Sequence, residues 1–320
     1  MIPSQQSHLA VAAVTHPGMQ GKNNEDRFSV SAFHLGEQDK RRALLVVVAD
    51  GVGGHQAGEI AAELAVEQIS QRVAEYDGAD PVAALREAAI FASRKIRSRA
   101  LADSELVGMA ATCVCALIIE NQLYAVSAGD SRLYLLRDGH ILQLTTDHTW
   151  IQEALDGGYI TPEEASRHPN QHVIRRYLGS QKLVEPDTRL RLRPQESDAD
   201  AQANQGLRLN PGDFVLLCTD GLTDLVQDEE IYAALQRDPL ETALSGLVDL
   251  ANQRGGHDNI TIAALRMPPE PRGASKRPAR KPRWPWVVLI LLLGAALCLA
   301  AAFSAYFLFQ ISNNLLGFGG

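Results

Sequence analysis

"TCVCALIIENQLYAVSAGDSRLYLLRDGHILQLT", residues 112–145, is four aliphatic and β-branched runs broken at Glu120-Asn121, Gly129-Asp130 and Asp138-Gly139. Runs this short, parted by polar and glycine steps, are hairpin-linked strands, and Asp-Gly is a preferred two-residue hairpin turn. Successive hairpins make a meander, hence an antiparallel sheet. Helical patterns flank this centre. Before it, Ile60, Ala61, Leu64, Ala65 and Ile69 share one helical face, and "DPVAALREAAIFASRKIRSRA" (80–100) opens on an Asp-Pro start signal. After it, "ETALSGLVDLANQR" (241–254) repeats the helical period and "NITIAAL" (259–265) is a last strand. Strands clustered between helices, without regular alternation, predict an α+β layered domain. "RPQESDADAQANQ" (193–205) has no apolar period and is expected to be a solvent loop.

The charge is unevenly spread. Of 30 basic residues six lie beyond Arg266, against one of 38 acids, so residues 1–266 carry 24 against 37, a net of −13. An acidic domain without a basic stripe is a poor candidate for phosphate-backbone binding, so no nucleic-acid partner is expected. Cys113 and Cys115 are not expected to pair, and with Cys218 in an apolar run and Cys298 in the tail the four cysteines imply a reducing compartment. "MIPSQQSHLAVAAV" has no basic region ahead of its apolar residues, so no secretory signal is expected.

From Trp286 to Phe309, "WVVLILLLGAALCLAAAFSAYFLF" runs 24 residues without a charge. About 20 suffice to span the hydrocarbon layer. Trp284, Trp286 and Tyr306 suit the interfaces, and the basic residues of "MPPEPRGASKRPARKPRWP" (267–285) all precede the span. The organisation expected is a folded domain over 1–266, a Pro/Arg-rich juxtamembrane linker over 267–285, a transmembrane helix over 286–309 and a tail over 310–320. The positive-inside bias places the domain on the cytoplasmic side of a single-pass inner-membrane protein.

Residues 44–64, "LLVVVADGVGGHQAGEIAAEL", drive an apolar strand into Asp50 and then into glycines. A phosphate cradle ending in Gly-Lys-Ser/Thr is absent, and Gln56 stands where a dinucleotide fingerprint needs glycine. The same construction recurs: "FVLLCTDGLTDL" ends a strand at Asp220, "RGGHDNITIAAL" puts Asp258 and Asn259 at a strand mouth, "NNEDRFSV" puts Glu25 and Asp26 ahead of another, and Asp130 sits between two. Each alone is ordinary turn chemistry. Gathered, they would repel one another unless a cation held them. Oxygen donors without a Cys or His pair at metal spacing point to Mg²⁺ or Mn²⁺. Paired ions of this kind clamp a phosphate and activate a bridging water for in-line attack, with no protein nucleophile.

In order, "NNEDRF", "VVVADGVGGHQAGEIAA", "GMAATCVCALI", "AVSAGDSRLYLLRDG", "LTTDHTW", "LLCTDGLTDLV" and "GGHDNITIAAL" resemble the metal-dependent protein phosphatases of the type 2C class, in their bacterial branch, over residues 9–266. The resemblance implies a four-layer αββα sandwich: two antiparallel sheets face to face with helices outside. It implies hydrolysis of phosphoserine and phosphothreonine in proteins at a centre of two Mn²⁺ or Mg²⁺ ions, with a weaker third. By position, Asp50 resembles the carboxylate bridging both ions, and Gly51 the glycine whose carbonyl holds one. Asp220 and Asp258 resemble ligands of the other. Glu25 resembles the acid at the second ion's water, supported by Asp26, and Asp130 the third ion's ligand. Asn259 and Asp224 fall at neighbouring polar positions. Residues 147–179 resemble the flap beside the active site.

Departures are specific. Gly21 stands where many members carry a phosphate-gripping arginine, which leaves Lys22 as the candidate substrate-binding cation. His55 is the candidate acid–base group near Asp50, and His172 stands where the flap often has asparagine. Three readings are compatible with the sequence: a membrane-tethered serine/threonine phosphatase opposing a kinase, a catalytically weak metal-binding phosphoprotein docking module, and a phosphatase restricted to one signalling partner such as an anti-sigma-factor antagonist.

Overall fold

The computed structural model describes residues 1–21, 23–53, 57–269 and 284–316. The strands are β1 (Ile2–Pro3), β2 (Ala10–His16), β3 (Arg27–His34), β4 (Arg42–Ala49), β5 (Gly51–Val52), β6 (Ala110–Ala111), β7 (Cys113–Ile119), β8 (Gln122–Ala128), β9 (Arg132–Arg137), β10 (His140–Gln143), β11 (Leu207–Arg208), β12 (Phe214–Cys218) and β13 (Ile260–Arg266). The helices are α1 (Ala57–Ala74), α2 (Pro81–Ala102), α3 (Trp150–Asp156), α4 (Pro162–Ala165), α5 (Asp198–Ala203), α6 (Asp220–Thr223), α7 (Asp228–Arg237), α8 (Leu240–Gln253) and α9 (Trp284–Leu316). Residues 1–269 form one compact unit and residues 270–320 a second.

Within the first unit, one sheet has the order β1-β3-β4-β7-β8-β11 and the other β10-β9-β12-β13-β2, every pairing antiparallel. Side chains alternate across a strand, and both faces of the central strands are buried. In β4, Leu44, Val46 and Val48 point into the layer between the sheets, where they meet Val215, Leu217, Ala263 and Leu265. Leu45, Val47 and Ala49 point the other way, onto Ala61, Ala65 and Ile69 of α1 and Leu85 and Ala89 of α2. In β12 the alternate residues Phe214, Leu216 and Cys218 pack on Leu244, Leu247 and Ala251 of α8. Three apolar layers make four structural ones. The expected αββα sandwich is what forms.

The hairpins fall where the sequence places them. Arg137 pairs with His140 across Asp138 and Gly139, both at positive φ, as a mirror-image two-residue turn requires. Asp80 caps α2 by accepting from the N–H groups of Val82 and Ala83, with Pro81 in the first turn. Cys113 and Cys115 lie on one face of β7, and both are free thiols.

Two expectations need correction. The meander does not stay in one sheet: after β8 the chain crosses at Gly129–Ser131 into the other sheet as β9. Gly129 makes the crossing with φ at +116°, and a Cβ there would sit 2.6 Å from the Thr112 side chain. Residues 193–205 are not all loop. Ser197 caps α5 by accepting from Asp200 N–H (3.2 Å), and Ala201 is fully buried. A helix of six residues has too few apolar positions to show a period.

In the second unit α9 is 33 residues long, and Leu292–Ser312 within it is apolar and long enough to cross a membrane, with mean hydropathy 2.1. The expected linker lies largely outside the described residues, as does the end of the tail.

Gly129→Ala adds left-handed strain to a close contact, and the substitution is expected to cost about 2–4 kcal/mol in chemical denaturation.

Candidate metal centre

The strand ends of both sheets meet at one edge. β4 ends at Ala49 opposite Arg27, the first residue of β3, and β12 ends at Cys218 opposite Ile262 in β13. Asp50 therefore follows a strand end, Glu25 and Asp26 precede a strand start, Asp220 opens α6, and Asp258 and Asn259 precede β13. Antiparallel pairing brings these turns together from distant sequence positions. Glu25, Asp50, Gly51, Asp220, Asp258 and Asn259 line a single cleft of about 790 Å³.

Close backbone approach explains the glycines. A Cβ on Gly51 would collide with the Gly58 carbonyl and lie 2.8 Å from the Glu25 carbonyl; one on Gly58 would strike the Glu25 carboxylate. One on Gly221 would meet the Asn259 carbonyl. The start of α1 and the Glu25 turn can share this corner because side chains are missing there.

Hydroxyl and amide groups fix the acids from behind. Thr219 Oγ1 donates to Asp26 Oδ2 (2.9 Å) and accepts from Thr261 N–H (3.0 Å). Thr112 Oγ1 accepts from Asp50 N–H (3.0 Å) and lies 2.7 Å from Ser131 Oγ. Asn259 is 5% exposed; its Oδ1 accepts from Glu25 N–H (2.7 Å) and its Nδ2 donates to Pro17 O (3.0 Å). Thr112, Ser131, Thr219 and Thr261 were not singled out in the sequence. Their signal is a hydroxyl at the end of an otherwise apolar strand.

The electrostatics are those of an anionic cluster. Burial, then the charges of Asp26, Asp220, Asp130 and Asp258, push the Asp50 carboxyl far above its ordinary range. Burial raises Asp26 to about 7 against hydrogen bonds from Thr261 and Thr219, with Asp220 and Asp258 adding to the rise. Asp220 rises to about 6 through burial, Asp224 and Asp258, and Asp130 to about 8 through burial, Asp220 and Asp147. The buried oxygens Asp26 Oδ1 and Asp220 Oδ1 have no hydrogen-bond partner. Converging carboxylates with unsatisfied buried oxygens fit a hard divalent cation.

Asp130 and Asp224 line an adjoining cleft of about 470 Å³, which Asp220 and His172 border together with the first. Lys22 and His55 lie outside the described residues. Gly21 has φ at +67° and open space around it. Arg27 is engaged by Glu59, which also takes Asn23.

The flap is pinned to this edge at its two ends. Near its start, His148 Nδ1 accepts from Gly129 N–H (3.1 Å) and its Nε2–H donates to Asp187 Oδ2 (3.1 Å). Beyond its end, Asp187 also exchanges two backbone hydrogen bonds with Ser127 and binds the Arg189 guanidinium (2.9 Å).

A family model described as Protein phosphatase 2C matches residues 18–246. The chain belongs to the protein phosphatase 2C family. It is 38% identical over 254 residues to the serine/threonine protein phosphatase PstP of Mycobacterium tuberculosis, covering 79% of this chain but 44% of PstP, so it spans less than half of that relative. It is 33% identical to the protein phosphatase PhpP of Streptococcus pneumoniae over 81% of this chain and 98% of PhpP. The PstP catalytic domain, solved with two manganese ions, superposes with a TM-score of 0.66 at 34% identity, over 81% of this chain and 97% of that domain. The family's fold, two antiparallel sheets between helices, is the one described above.

Two measurements probe the supports. Asn259→Ala removes the amide that holds Glu25 and is expected to weaken Mn²⁺ affinity about 10–100-fold in calorimetry. Burial would raise the Asp187 carboxyl, but hydrogen bonds from His148 and Arg189 outweigh it and hold it well below the usual range. A depressed carboxylate stabilises the fold above its unfolded pKa and loses that effect as pH falls. Asp187→Asn is therefore expected to destabilise the protein by about 3 kcal/mol at pH 7, with the difference from the wild type shrinking below about pH 4 in acid unfolding.

Proposed function

We propose that this chain is a metal-dependent protein serine/threonine phosphatase, held at the inner membrane by α9 with its catalytic domain in the cytoplasm. The observation that carries the reading is the cluster of converging carboxylates, with buried unsatisfied oxygens, at the shared edge of the two sheets. The family supplies the reaction class. The manganese-bound PstP domain supports two Mn²⁺ or Mg²⁺ ions here.

Asp50, Gly51 and Glu25 would hold one ion, and Asp50, Asp220 and Asp258 the other. Asp130 would serve a third. Asp26, Asn259 and Thr219 keep these groups in place, and Asp224 lies alongside. When bound, the ions supply the positive charge that clamps a phosphate and lowers the pKa of water. The protein's own part is positional: it fixes the carboxylates on rigid strand ends and presents an open cleft to a phosphoprotein side chain. Phosphoserine and phosphothreonine proteins are the proposed substrates, and a serine/threonine kinase the opposing partner. Membrane attachment is supported by the apolar stretch Leu292–Ser312 and by six basic residues at 272–283, on the side that the positive-inside bias assigns to the cytoplasm.

Purified full-length protein in detergent is expected to release phosphate from a phosphothreonine peptide with Mn²⁺ and to stop with EDTA. Asp220→Asn should lower kcat/KM by about 10³-fold with the fold retained by circular dichroism. An active Asp220→Asn protein would remove the site assignment. A folded, Mn²⁺-binding but inactive wild type would favour a phosphoprotein docking module.

A further inference from the structure

The acidity of the first unit has one local reversal. From Ala88 to Ala102, α2 carries Arg94, Lys95, Arg97 and Arg99 and no acid, and all four side chains are exposed. Arg94, Arg97, Ser98 and Leu101 recur at helical spacing, opposite the buried face of Leu85, Ala89, Ala92 and Ile96. Little within the domain neutralises these cations. Among the described residues no ion pair reaches Arg94, Lys95, Arg97 or Lys182. Arg86 and Arg99 meet Glu185 and Asp103 only at 3.9 and 3.7 Å, in solvent-exposed pairs of little strength. Asp103, the first acid beyond the helix, also accepts from Glu105 N–H (3.1 Å).

Large apolar side chains stand among the cations. Arg97 Nη1 donates to Gln181 O (2.7 Å), which brings Lys182 and Leu183 alongside the helix. Leu101, Val107 and Leu183 are 78%, 74% and 60% exposed. Leu101 and Val107 border one cleft of about 470 Å³ with Arg97 and Gln181. Unpaired cations beside water-exposed leucines suit a lipid boundary: the charges meet headgroups while the apolar tips enter the layer below. A nucleic acid would meet the cations and leave the leucines in water.

We propose that this face of α2, with Lys182 and Leu183, docks the domain on an anionic lipid surface. The inference rests on the reading of α9 as a membrane anchor: a tethered domain meets its own bilayer at high effective concentration, so a few charges suffice. Each Lys or Arg near an anionic surface favours contact by about fivefold. Ser93 Oγ of α2 accepts from Gly179 N–H (3.0 Å), so the flap ends against this same helix. Docking therefore brings the flap beside the membrane and favours phosphorylated side chains that lie close to it.

The test uses full-length protein carrying Ser98→Cys and Cys298→Ser, labelled at position 98 with an environment-sensitive fluorophore; Cys113, Cys115 and Cys218 are buried. It is reconstituted in nanodiscs of phosphatidylcholine alone or with about one-third phosphatidylglycerol. A blue shift in the anionic discs only, reversed by about 1 M salt, is expected. Arg94→Gln, Lys95→Gln and Lys182→Gln together change three exposed side chains and should lower the ratio of docked to free domain by roughly 100-fold. Leu101→Ser alone should lower it by about tenfold. An equal shift in neutral discs, or a triple variant that behaves like its parent, would overturn the surface. So would displacement from the lipid by duplex DNA at equal phosphate concentration. Retention in the discs at high salt reads the anchor separately. A retained protein without the blue shift keeps α9 in the membrane and loses this surface; one that leaves the discs at high salt yet responds to anionic lipid at low salt does the reverse.

Discussion

Mutual repulsion among carboxylates at one edge of the sandwich is the constraint around which the rest is arranged. Two unit charges about 4 Å apart at the edge of a protein repel by about 4 kcal/mol, and a whole domain is stable by only about 5–15. Asp26, Asp50, Asp130, Asp220 and Asp258 lie close enough for their charges to act on one another. Such a cluster persists at neutral pH only if protons or cations offset it. The described side chains do little of this. Arg27 is tied to Glu59 and Arg132 to Asp147, at 2.7 Å in the second pair. The raised carboxyls are the protonic answer, and a bound divalent cation is the other.

The sandwich makes the cluster possible by rigidity. Central strands buried on both faces cannot shift register without driving apolar side chains out of a packed layer. Their ends are therefore fixed points, and an aspartate one residue beyond an end has little freedom left. Behind them, Thr219 joins Asp26 to the backbone of β13, and Thr112 joins Asp50 to Ser131 at the sheet crossing. These hydroxyls satisfy one face of the acids and leave the other to the cleft.

Much of this was legible in the sequence because its causes are local. Alternation in residues 112–145 predicts strands, Asp138-Gly139 predicts a turn, and an apolar run closing on Asp-Gly predicts a carboxylate at a strand end. Partner choice is not local. Nothing in "SAGDSR" says that the chain changes sheets at Gly129, because the requirement lies in Thr112, far back in the chain. Asn259 and Asp224 were found through their neighbours in a motif. The threonines behind the acids were missed because a threonine ending a strand is ordinary. His257 gave no signal either: its approach to Asp224 Oδ2 (3.8 Å) exists only once the turn before β13 meets the turn after α6.

The cleft also constrains the order of events. Glu25, Asp50, Glu59, Asp220 and Asp258 line it, and a phosphate dianion meets negative charge on nearly every side. In many relatives an arginine offsets this, but here Gly21 occupies a left-handed turn, a backbone conformation that disfavours arginine even though space is open. Restoring the guanidinium would thus require the turn to change as well as the side chain. Among the described residues that line the cleft none is lysine or arginine, so the attraction for phosphate that they leave wanting falls to the ions that the carboxylates hold. On the proposed reading, cation binding precedes substrate binding by electrostatic necessity, and affinity for the phosphorylated side chain is inseparable from occupancy of the centre.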